Sequence, residues 1–268
     1  MVIFEIRNKT ENRRLLGYLF YFERSCRFYA ELSETIDEWD SPFMFSGHVR
    51  KGIYSIDSTW SEKFVRQRII PTDRQNLGSL LRDNSLTKYD EFKLLLLSEG
   101  RCSQDDLYLV RINEKDLIPE ISERLKKKIL DVMTLKDCKV LVFFKNDESR
   151  IADIKKICSK DRLFSNILRD HKKFENVQVS PGGNGIEWGE ERFISAEKIM
   201  LSGVSSDIAY SDLTGYIKTR LIDTAEMSNL LNCSRQYIKQ LVDKERLMPV
   251  REGARSNLFL KGNIEAET

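Results

Sequence analysis

The sequence predicts an α+β chain of more than one domain, and three observations carry that expectation. Period-two runs of branched and aromatic residues open the chain, apolar residues spaced three and four apart follow, and the same order recurs before two short helical segments near the end. A length of 268 residues allows two or three domains, since one domain holds roughly 100–200 residues. Hydrophobic residues make up 41% and charged residues 32%, a folded composition that excludes disorder throughout.

The first domain is expected over residues 1–112. Val2-Ile3-Phe4-Glu5-Ile6, Leu15 to Phe22 and Arg27 to Leu32 alternate as strands, with Gly17 and Ser25 suited to turns. Trp60, Phe64, Val65 and Ile69 then share one helical face, with Ser58 or Ser61 as cap and Pro71 as stop. Leu77, Leu80 and Leu81 predict a second helix closing near Asn84, and Tyr89 to Leu97 a third ending at Gly100. Asp106 to Ile112 returns to alternation. Residues 113–133 place Ile118, Ile121, Leu125 and Ile129 at helical spacing among charges, which predicts a connecting helix with Pro119 in its first turn.

Residues 134–204 form the next expected unit. Cys138 to Phe144 is an apolar strand that turns at Lys145-Asn146-Asp147-Glu148 into Arg150 to Ile154. A short helix with Leu163, Phe164, Ile167 and Leu168 inward precedes a strand near Val177 to Val179. Pro181-Gly182-Gly183-Asn184-Gly185 lacks the following helix and the Lys-Ser/Thr pair of a phosphate loop, so it reads as a hairpin turn. The segments VLVFFKNDESRIADI, LFSNILRDHKKFENVQVSPGGNGIEW and ISAEKI resemble the bacterial family known as domain of unknown function 2442, over about Thr134 to Gly203. Ile154 stands where that family has Leu, and Arg192-Phe193-Ile194 replaces its IDL. The resemblance implies a fold and no activity. In the first domain, RQRIIPTDRQNLGSLL and GRCSQDDLYL resemble a companion domain of the same family, again without an implied function.

The strongest functional pattern lies in residues 216–268. A helix-turn-helix needs a small residue where two helices cross, a turn residue tolerant of positive φ, and apolar residues at fixed offsets. Over Thr224 to Asp243, Met227, Leu231, Ile238 and Leu241 supply the apolar positions, Ser228 the crossing, Asn232 the turn and Cys233 a small buried group. Ser234 caps the second helix, which leaves Arg235, Gln236, Lys239 and Gln240 outward. Arg forks onto guanine and Gln onto adenine in the major groove, and Lys reaches guanine or phosphate. Arg246 to Val250 leads into a strand, and Arg251, Gly253, Arg255 and Asn257 precede Leu258-Phe259-Leu260. That is the order of a two-stranded basic wing.

Residues Leu221 to Ile264 resemble the winged helix-turn-helix of the excisionase and mercury-resistance-regulator superfamily. The departures are Asn232 for the usual Gly and Glu245 where a Gly often precedes the wing. The resemblance implies a bacterial DNA-binding module. From Tyr216 to Thr268 nine basic and seven acidic residues give little nonspecific pull on DNA, so pairing of two half-sites through a homo-oligomer is expected.

A second basic stretch, Arg50 to Arg82, includes Arg66, Arg68 and Arg74 near Trp60 and Phe64. It reads either as a nucleic-acid patch or as a solvated helix face. Five scattered cysteines and two distant histidines, His48 and His171, supply no metal spacing, so no cofactor or metal is expected. Cys102 sits beside Asp105 and Asp106, an acidic setting that disfavours a thiolate nucleophile. No nucleotide loop or catalytic signature is present, and the chain is not expected to be an enzyme. Without a membrane-length apolar run or a signal-like start, a cytoplasmic protein is expected. The sequence thus predicts two small α+β domains followed by a winged helix-turn-helix that binds double-stranded DNA and regulates transcription. The alternative is a protein-interaction module, such as an antitoxin-like or inhibitory partner.

Overall fold

The structure is a computed structural model and describes residues 1–10, 12–159, 161–189, 192–253 and 255–262. Helices and antiparallel sheets make it α+β. The chain divides into two compact units, the first comprising Met1–Asn146 and Arg150–Val204, the second Asp147–Ser149 and the residues from Ser205 onward.

In the first unit, β1 (Val2–Asn8), β2 (Leu15–Phe22), β3 (Arg27–Leu32), β4 (Ser55–Ile56) and β5 (Leu107–Ile112) form an antiparallel sheet in the order β4-β3-β2-β1-β5. Strand alternation sends Phe4 and Ile6 into one core and Ile3 into another. The first core is closed by α1 (Ser46–Val49), α2 (Ser58–Arg66), α3 (Leu77–Asp83) and α4 (Glu91–Ser98), through Phe64, Val65, Leu81, Leu94 and Leu95. Ile121 of α5 (Pro119–Lys126) meets Ile3, Tyr18 and Phe20 on the opposite face. The cap of α2 is Asp57, whose carboxylate accepts the Trp60 N–H at 3.0 Å, and not Ser58 or Ser61. Ser61 is buried and donates to the Ile56 carbonyl.

The connecting helix expected over 113–133 is corrected. Only α5 is helical there, apart from a 3-10 turn at Glu114–Asp116, and Ile129–Leu135 is strand β6. Each stretch of β6 finds a partner in β7 (Lys139–Phe144), from Ile129 opposite Phe144 to Leu135 opposite Lys139. Sheet pairing outweighs the chance helical spacing of Ile129 with Ile121 and Leu125. The residues expected as separate domains, 1–112 and 134–204, fall in one compact unit. Ion pairs join them to each other or to the link between them, among them Arg27 to Glu187 at 2.7 Å, Arg124 to Glu34 at 2.8 Å, and buried Glu31 to buried Lys128.

β8 (Ser149–Asp153) neighbours β7, followed by the short helices α6 (Ile154–Ile157), α7 (Ser165–Arg169) and α8 (His171–Glu175). β9 (Gln178–Val179), β10 (Gly185–Glu187) and β11 (Phe193–Ser195) form a small sheet before α9 (Ala196–Ser202) and β12 (Val204–Ser205). Leu163, expected inward, is 52% exposed, because the 3-10 turn Arg162–Phe164 swings Phe164 inward and its neighbour out. The glycine cluster forms the turn between β9 and β10. Gly183 has φ +77°, and a Cβ there would lie 2.2 Å from the Ile129 carbonyl oxygen, so the position requires glycine.

Burial separates the thiols: Cys26 is exposed, whereas Cys158 is buried and pushed up to about 11. Iodoacetamide at pH 8 is expected to label Cys26 well before Cys158, a sequence that peptide mapping of a time course reads directly.

In the second unit, α10 (Tyr210–Arg220) leads to β13 (Leu221–Asp223), α11 (Thr224–Leu230) and α12 (Arg235–Asp243), and β14 (Leu258–Leu260) pairs antiparallel with β13. Ile222, Met227, Ile238, Leu247 and Phe259 form its core. The strand expected after α12 is reduced to one bridge, Arg251 to Leu258. Leu247 N–H bonds back to the Leu241 carbonyl, and Pro249 has no N–H to give a ladder.

Candidate nucleic-acid interface

The second unit builds its helix pair from local hydrogen bonds. Asp223 accepts the N–H groups of Ala225 and Glu226 at 2.7 and 2.8 Å, and Glu226 accepts the Asp223 N–H at 3.0 Å, a reciprocal cap that fixes where α11 starts. Asn232 ends that helix at φ 48°, the left-handed conformation that Asn tolerates better than most residues. Ser228 Oγ donates to the Cys233 carbonyl at 2.5 Å and ties the crossing together. Cys233 is half-buried against the core rather than fully enclosed. Ser234 Oγ accepts the Tyr237 N–H at 3.2 Å and starts α12.

With Ile238 turned into the core, α12 exposes Arg235, Gln236, Lys239 and Gln240. Among the described residues, none of these four side chains has a hydrogen-bond or ion-pair partner. Tyr237, which apolar spacing did not single out, is 47% exposed on the same helix. The side chains at 235 and 239, and at 236 and 240, stand one helical turn apart and make two parallel polar rows.

The loop after α12 is pinned to the start of α11. Thr224 Oγ1 accepts the Asn257 N–H at 3.2 Å, and Ser256 Oγ accepts the Thr224 N–H at 3.1 Å. Asn257 Oδ1 accepts the Gly253 N–H at 3.3 Å, so this half-buried side chain braces the loop. Arg251 and Arg255 are exposed, and neither side chain has a partner among the described residues. Glu245 takes φ 56° where a Gly was expected and turns the chain toward the loop. A cleft of about 980 Å³ runs between Thr224 and Ala225 of α11, Arg235 and Lys239 of α12, and Gly253 and Arg255 of the loop. Asp223, Asp243 and Glu252 also line it, so its charge is mixed.

The three arginines of the first unit do not form one surface. Arg66 is exposed but paired with Glu91 at 2.9 Å, and that bond raises its pKa. Arg74 donates to Asn76 at 3.0 Å. Arg68 is buried, bonded to Asp105 and to the Phe64 carbonyl, with its guanidinium 3.7 Å from the Phe64 ring. Burial lowers its pKa, with Asp105 opposing. Arg68 therefore belongs to the interior and is withdrawn from the expected patch, because its charge is consumed by groups of its own chain.

His48 meets Trp60 edge-on at 5.1 Å with its pKa lowered by burial, and His171 is exposed near Glu175. Among the described residues no cluster of His, Cys, Asp and Glu could hold a metal ion, and no helix is long and apolar enough to cross a membrane. No protein-family model, no curated protein and no solved structure matches this chain.

Proposed function

We propose that this chain is a sequence-specific DNA-binding protein, a transcriptional regulator that acts as an oligomer, and that its second unit is a winged helix-turn-helix. One observation carries the reading: α12 offers Arg235, Gln236, Lys239 and Gln240 to solvent, with no described partner competing for them. Two turns of such a helix fit a major groove, where Arg and Gln distinguish guanine and adenine by paired hydrogen bonds. Arg251 and Arg255 on the adjoining loop then reach phosphate, which positions the helix without reading sequence.

The weak basic excess of the module favours two copies over one, since a single helix makes few contacts. Helix α10 supports that need, because none of its residues is buried and it leaves Tyr216 53% and Ile217 46% exposed. Arg235→Ala or Gln236→Ala is expected to cost about 1–3 kcal/mol at a specific site. Arg255→Ala should weaken all sequences alike and reduce the slope of log K against log salt by about one. Fluorescence anisotropy on specific and scrambled duplexes at several salt concentrations separates the two classes. Equal binding by wild type and all three variants would remove the reading.

A protein-interaction role is favoured by one specific observation, the 87% and 86% exposure of Trp39 and Phe43 in the first unit. Capture of a stoichiometric protein partner from native extract, lost on Trp39→Ala/Phe43→Ala and accompanied by no DNA affinity, would support it over DNA recognition.

A further inference from the structure

We infer that the first unit binds a free aromatic amino acid in the pocket between α5, the face of β2 and β3 that turns away from the first core, and the turn after β9. The pocket holds about 310 Å³, the lower end of the roughly 300–1,000 Å³ typical of small-molecule sites. Its walls are Phe20, Phe22 and Tyr29 from the sheet and Leu117 and Leu125 from the α5 side, so the interior suits a flat apolar body. Phe22 and Tyr29 already stand edge to face at 5.7 Å, a geometry that a third ring extends. The turn residues Gly182 and Asn184 close the far side, and Gly182 has no room for a side chain because a Cβ would lie 2.3 Å from the Phe22 ring.

The charges decide the ligand class. Glu31 lines the pocket but is already satisfied by Ser55, Arg124 and Lys128, and Lys126 is held by Glu123 at 2.6 Å. Two lining groups of opposite sign remain exposed and without a described side-chain partner, Glu114 and Lys145. A neutral apolar ligand would leave both unused, whereas a zwitterion offers an ammonium to Glu114 and a carboxylate to Lys145. An aromatic amino acid combines that zwitterion with one ring system. The inference does not depend on DNA binding, since every group it uses lies in the first unit.

Isothermal titration of the full chain with L-phenylalanine and L-tryptophan tests it. Their truncated forms, 3-phenylpropionate, phenethylamine, indole-3-propionate and tryptamine, lack one charge each. Saturable one-to-one binding is expected for at least one amino acid, about two- to fivefold tighter than for either of its truncated forms. Lys145→Ala should erase the advantage over the amine and Glu114→Gln the advantage over the acid. Ser122→Phe, from a half-buried wall position on α5, should fill the pocket and abolish binding. The melting temperature of each variant without ligand verifies that it is folded, and both charge variants lie on the surface. No saturable binding by either amino acid, or equal affinity for a truncated form, overturns the inference.

Discussion

Lys128→Met is expected to destabilise the first unit by about 3–5 kcal/mol, the usual cost of removing one partner from a buried ion pair. Glu31 and Lys128 are 1% and 4% exposed, and they contact each other directly. Ser55 and Arg124 hold the other oxygen of Glu31, at 2.6 and 3.2 Å, so they cannot replace the lost ammonium without abandoning their own geometry. The pair itself is not the source of net stability; the loss comes from leaving one oxygen of a buried carboxylate without its ammonium. Glu31→Gln combined with Lys128→Met should therefore recover part of the loss. All three tryptophans, Trp39, Trp60 and Trp188, lie in the first unit, so urea unfolding followed by their fluorescence reports this unit selectively. An unchanged midpoint for Lys128→Met would show that the pair carries no structural charge balance.

Phe259→Ala should have a comparable effect on the other unit. Phe259 is 1% exposed in a core that has five buried apolar residues among the described ones, and emptying such a site costs about 3–5 kcal/mol. So small a core has little reserve, and loss of one aromatic ring is expected to unfold α11, α12 and the β13–β14 pair together. Far-ultraviolet circular dichroism should lose helix signal while the tryptophan transition keeps its midpoint. Loss of both signals in one transition would mean that the two units unfold as one.

The elements most legible in the sequence are those whose pattern and contacts agree. β1 and β2 alternate because each feeds two cores, β3 turns Phe28, Ala30 and Leu32 into the first of them, and the helix pair of the second unit is announced by Met227, Ser228, Asn232, Ser234 and Ile238 at their required offsets. β6 was not legible, because Ile129 continues the spacing of α5 and only its pairing with β7 reveals a strand. The burial of Arg68 was equally hidden. Its acceptor, Asp105, lies 37 residues away, and no local pattern reports a contact of that range. Asn257 was expected among the DNA-contacting residues of the loop, and its role as the brace that accepts the Gly253 N–H was not legible, since that role depends on how the loop folds onto Thr224. The strand expected after α12 failed where Pro249 and the backbone bond to Leu241 divert the chain.

Selection of bound fragments from a pool of random duplex DNA, run at two salt concentrations with wild type and with Arg235→Ala/Gln236→Ala, tests DNA recognition most directly. Wild type should enrich a sequence that persists at the higher salt, and the variant should lose it while both proteins remain folded. A pool that stays random with wild type, or the same sequence enriched by the variant, would contradict it.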